Sequence, residues 1–165
     1  MPEKRLGIVP NAFAERGGLE KCVILITDMR TIIAFRKPEG TLKGALKQVY
    51  GFGSSPDQLP ADLESADLGA LAQMKGNISV PHSSIQKFSC GKGIVGFGLW
   101  IVYLDDEGKK RAVIANFEPT PEMIAEGKAN GIKPKEIRRQ FAATIQEIFK
   151  RALPPILSQE AEWKL

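Results

Sequence analysis

The stretch that most constrains this chain is "KCVILITDMRTIIAFRK", residues 21–37. Two apolar runs rich in Ile and Val, Cys22 to Thr27 and Thr31 to Phe35, flank the polar break Asp28-Met29. A helix would have to carry this β-branched density through the break, at a cost in side-chain freedom. Short runs of this composition on either side of a tight polar turn predict a β-hairpin. Because the runs are apolar at successive positions, both faces of the hairpin are expected to be substantially buried.

Further strands follow, after an interruption. "TLKGALKQVY" sets Leu42, Ala45, Leu46, Val49 and Tyr50 on one helical face, with Thr41 as N-cap. "GFGSSPDQLP" is loop-like, and "ADLESADLGALAQMKG" reads as a second helix stopped by Gly76. A helical excursion over about 38–76 therefore separates the first hairpin from the later strands. From residue 77 the period returns toward two. "ISVP" and "SIQKFSC" are short strands broken near Pro81, and "FGLWIVYL", the turn Asp105 to Gly108 and "KRAVIANF" form another hairpin.

"TPEMIAEGKANG" is a short helix with Thr120 as N-cap and Asn130-Gly131 as its stop. The last strong element is a helix over about 134–153, started by Pro134 and stopped by Pro154-Pro155. Ile137, Phe141, Ile145, Ile148, Phe149 and Ala152 form its apolar stripe. The order predicts a mainly β α+β fold in a single domain, 1–165. Its sheet is strongly bent and antiparallel, or a small barrel, with one open end plugged by the final helix.

With 165 residues, 43% hydrophobic and 25% charged, the chain is a soluble-type domain able to build a core without metal or disulfide staples. There is no run of about 18 uncharged apolar residues to span a membrane, and the start lacks a signal-peptide pattern. A cytoplasmic protein is expected. Cys22 and Cys90 read as core thiols, and one His without paired Cys leaves no zinc-site pattern. Net charge is +4, spread from end to end, and the twelve aromatic residues fall mostly at core-like positions. Nucleic acid is not a favoured partner on that pattern.

"GKGIVGFG", Gly91 to Gly98, contains a G-x-G-x-x-G. A dinucleotide loop needs a helix after the glycines, so that phosphate meets the helix N-terminus; here "LWIVYL" follows, a strand. The strand–glycine–strand alternative of protein kinases lacks its partner motifs, and no Walker-type G-x-x-x-x-G-K-[ST] is present. The glycines are expected to mark a bulge or sharp bend.

Taken in order, "VILITDMRTIIAF", "NISVPHSSIQKF" and "GLWIVYLDDEGKKRAVIANF" followed by an amphipathic helix resemble the PH-like superfamily, and within it the prokaryotic PH-like domains. The likeness covers roughly residues 19–37 and 77–153; the excursion at 38–76 departs from it. The resemblance implies a bent β-barrel capped by one helix, serving as a non-catalytic module that binds phosphoinositides, peptides or proteins and in prokaryotic members self-assembles. The basic pattern of a phosphoinositide pocket is not met by Lys21 and "RTIIAFR".

Three hypotheses follow. The first is a non-enzymatic module acting through protein–protein contacts and self-association. The second is a peripheral binder of anionic lipid or another anion, through Arg30, Lys43, Lys47, Lys109, Lys110 and Arg111. The third is a small enzyme at His82–Cys90, disfavoured because no nucleophile turn or orienting acid is in view. No catalytic residue, cofactor or metal ligand is assigned.

Overall fold

The computed structural model describes residues 2–35, 67–93 and 96–165. Eight strands form a single sheet in the order β4-β3-β2-β1-β7-β6-β5-β8. In chain order these are β1 (Arg5–Glu15), β2 (Leu19–Thr27), β3 (Arg30–Phe35), β4 (Ile78–Pro81), β5 (Ile85–Gly93), β6 (Gly96–Leu104), β7 (Lys110–Phe117) and β8 (Glu162–Lys164). Among the described residues, four helices accompany them: α1 (Leu68–Gln73), α2 (Pro121–Ala129), α3 (Pro134–Ala152) and α4 (Pro155–Glu160).

The first hairpin forms where its composition places it. β2 and β3 pair antiparallel from Cys22↔Phe35 to Ile26↔Thr31. Thr27 Oγ1 accepts the amide protons of Met29 at 3.1 Å and Arg30 at 2.9 Å, which closes the turn. Both faces are buried, because alternate side chains enter two different apolar clusters. Cys22, Ile24, Ile26, Ile33 and Phe35 join the main core, while Val23, Leu25, Ile32 and Ala34 pack with Leu71 of α1.

β1 bridges the two halves of the sheet, pairing with β2 along its length and with β7 over Ala12 to Ala14. Gly7 and Pro10 hide it from sequence reading. Proline has no N–H for a ladder, and the β1–β2 register shifts between Val9 and Ala12, around Pro10. Gly7 earns its place through packing: a Cβ there would lie 2.7 Å from Ile148 Cδ1, so α3 crosses the strand at a position with no side chain.

α3 lays Ala142, Ile145, Phe149 and Ala152 into the main core against Val9, Phe88, Ile101, Val113 and Phe117. Phe88 and Phe149 rings meet at 4.8 Å between centroids. The amphipathic stripe thus does what its spacing predicts, and burial of a stripe this wide is the main stabilising contribution of the helix. Thr120 caps α2 through Met123 N–H, and Asp67 caps α1. Gly76 takes a left-handed φ of 91° just beyond α1.

Two features differ from the expected antiparallel barrel. The sheet does not close: β4 and β8 are its two ends, with no ladder between them. It is also mixed, because β8 runs parallel to β5. Three helices and their connections precede β8, and this long crossover delivers the tail to β5 in the parallel sense. The proposed helix "TLKGALKQVY", and most of the 38–76 excursion, lie outside the described residues. No described helix is long and apolar enough to cross a membrane.

Candidate functional site

The sequence candidates divide by how they are held. Arg30 forms a bidentate pair with Glu3, its Nε 2.9 Å from Oε1 and Nη2 2.7 Å from Oε2. Thr27 Oγ1 donates to the same carboxylate at 2.6 Å, and Asp28 accepts the Lys4 amide at 2.9 Å. Burial pushes the Glu3 carboxyl up, but hydrogen bonds from Arg30 and Thr27 outweigh it and hold the group below its usual range. Arg30 therefore fastens the segment before β1 to the β2–β3 turn, and an incoming anion would have to displace Glu3.

The β6–β7 hairpin tip is similarly self-contained. Asp105 accepts the amides of Glu107 and Lys109 and a 2.9 Å hydrogen bond from Arg111 Nε. The Arg111 bond is the main reason the Asp105 carboxyl is lowered. Lys109 meets Glu107 at 2.8 Å. Lys110 has no ion pair among the described residues, and Lys43 and Lys47 lie outside them.

The His82–Cys90 region offers little for catalysis. Both residues are buried. Cys90 is raised to about 12 by burial, which removes the thiolate that nucleophilic chemistry uses. His82 Nε2 lies 3.0 Å from Thr31 Oγ1. Burial lowers the ring to about 4, against the opposing influence of the Ala152 carbonyl, Asp28 and Glu3. Among the described residues, no group of three His, Cys, Asp or Glu side chains could hold a metal ion. The Gly91–Gly98 glycines close the β5–β6 hairpin, with Gly91 opposite Gly98 and Gly93 opposite Gly96.

What stands out instead is an asymmetry between the two outer faces of the sheet. Outside β2 and β3, Val23, Leu25 and Ile32 are fully covered. Outside β6 and β7, Trp100 is 45% exposed and Ile114 48% exposed, and they sit directly opposite each other in the ladder. In the next outward-facing pair Ala112 is exposed while Val102 is buried, and Leu104 is exposed farther along β6. Alternation explains the placement, since Leu99, Ile101, Val113 and Ala115 occupy the inner face. Period alone places Trp100 and Ile114 on the opposite side of the hairpin from these residues. Their exposure depends on what covers the strand, which period alone does not encode.

Beside this face, Lys87, Ser89, Trp100, Leu157, Glu160 and Glu162 border a cleft of about 350 Å³ at the β5 edge. Lys87, Glu160 and Glu162 thus lie together on the β5 side of Trp100, and the exposed Lys110 lies on β7 opposite Leu104. No protein-family model, curated protein or solved structure matches the chain.

Proposed function

We propose that the chain is a non-catalytic PH-like binding and assembly module that acts through protein–protein contacts and associates with copies of itself. Seven antiparallel-paired strands, with a long amphipathic helix packed into the main core, support the fold part of this reading. The observation that carries the functional part is the uncovered Trp100–Ile114 face. A large aromatic and a large aliphatic side chain left exposed side by side on a sheet face favour an interaction site, and an aromatic is the usual anchor of a protein contact.

A second copy is the partner that fits. Both sheet ends are poor templates for edge-to-edge growth: β4 has four residues and ends in Pro81, and β8 has three. Association must then use a face. Lys87, Glu160 and Glu162 line the cleft beside Trp100, so a twofold axis through the apolar pair brings charges of both signs from each copy against those of the next. Anionic lipid is the weaker reading, because Arg30, Lys109 and Arg111 are already occupied by Glu3, Glu107 and Asp105.

Light scattering over a dilution series tests the proposal. The wild-type chain is expected to exceed monomer mass at high concentration and to fall toward it on dilution. Trp100→Glu combined with Ile114→Lys is expected to stay monomeric with unchanged circular dichroism. A wild-type chain that is monomeric throughout would overturn the proposal.

A further inference from the structure

The C-terminal arm, residues 154–165, is joined to the body in an unusual way. Its helix α4 has no buried residue, and Ile156 stands 74% exposed. The arm leaves α3 through Leu153, in extended backbone, and Pro154, whose ring restricts φ, before Pro155 opens α4. Trp163 Nε1 donates to Ser158 O at 3.2 Å, a bond within the arm that travels with it.

The body, by contrast, carries a built receptor. Gln146 of α3 is 3% exposed, and its Nε2 donates at 2.9 Å both to Cys90 O of β5 and to Lys164 O of the arm. Phe88 stacks on Trp163 at 5.5 Å, and Lys150 Nζ lies 5.3 Å from the Trp163 ring centre. Gly91 completes the slot: a Cβ there would come within 1.8 Å of Lys164 O, so the strand is bare where the arm passes. The three arm residues pair in parallel with Ser89, Cys90 and Gly91.

A receptor shaped this closely around a three-residue strand, reached through a proline hinge, leads us to infer that residues 154–165 are an exchangeable strand, docking on β5 of a second copy as they dock on their own. The closed and exchanged forms make the same contacts, so hinge geometry and concentration set the balance between them. When the arm withdraws, Gln146 loses a buried hydrogen bond, and the slot favours refilling. The docking site borders the Trp100 face through Leu157, Glu160 and Glu162, so exchange brings that face of each copy toward the other. This inference names a route for the self-association proposed above and rests on that reading.

Register supplies the test, because Ser89 and Glu162 are Cα partners. Full-length Ser89→Cys and full-length Glu162→Cys are mixed at high concentration and oxidised gently. Both native thiols are buried and do not compete. Exchange predicts a disulfide-linked pair of chains in the mixture, reduced at least fivefold when Trp163→Ala is added to the Glu162→Cys chain. Ser89→Cys/Glu162→Cys in one chain shows that the pair can bond. The inference is overturned if that double variant links only within its own chain and the mixture stays unlinked, if neither links, or if linking ignores Trp163→Ala. A mixture that fails to link while light scattering still shows oligomers rejects arm exchange alone and leaves assembly through Trp100.

Discussion

Lowering the pH should destabilise this protein through its single histidine well before its carboxylates titrate. His82 is buried, and burial holds the ring at about 4 against 6.5 in the unfolded chain. For a depressed histidine the unfolded chain binds the proton first. Its stabilising contribution is therefore complete above about pH 6.5 and is lost as pH falls toward 4. The difference between 6.5 and about 4 corresponds to roughly 3 kcal/mol, of which about 2 kcal/mol disappears between pH 7 and pH 5. Glu3, also depressed, contributes its loss only below its ordinary 4.5, so the two windows separate. With a typical urea slope of about 2 kcal/mol/M, the unfolding midpoint should drop by about 1 M between pH 7 and pH 5. Urea melts followed by circular dichroism at half-unit pH steps measure this directly, and His82→Gln should flatten the dependence. Since the chain has one histidine, its imidazole NMR resonance reports the folded-state titration without assignment. A midpoint near 6.5, or a midpoint-versus-pH slope that persists in His82→Gln, would refute the reasoning.

Three further outcomes follow from the packing. Arg30→Ala strands the Glu3 carboxylate in a partly buried position and should cost about 1–3 kcal/mol in urea melts, with Arg30→Lys recovering only part because it cannot bridge both oxygens. Gly91→Val should expel the arm: in a Trp100→Phe background Trp163 emission shifts to the red and proteolysis after residue 153 accelerates, and an unshifted spectrum would count against the slot. Phe149→Ala, at a fully buried site touching Phe88, should lower stability by about 3–5 kcal/mol; a loss under 1 kcal/mol would mean that α3 is not the lid of the core.

Much of the architecture is carried by local chemistry. β-Branched density around Asp28-Met29 fixes the first hairpin, and the stripe from Ile137 to Ala152 fixes the long helix. The glycines Gly91 to Gly98, followed by a strand, are legible as a turn between strands and not as a phosphate cradle. In each case the deciding forces act within a few residues: side-chain rotamer freedom, capping, turn geometry and the period of burial.

The remainder is non-local. β1 reads poorly because Gly7 and Pro10 weaken it as an isolated strand, yet two neighbours supply its ladder and Ile148 fills the space over Gly7. The final tripeptide Glu162-Trp163-Lys164 has no strand signal of its own. It becomes one through partners far away in sequence, Gln146 and the bare backbone at Gly91. Arg30 and Arg111 look like anion contacts in a list of charges, and only the fold reveals that Glu3 and Asp105 already hold them. The sequence by itself determined the first hairpin, the β6–β7 hairpin and the two longer helices, since those preferences are local. Which side of a strand is covered, which charge is neutralised and where the tail lands were decided by tertiary structure, because burial and pairing belong to contacts between segments.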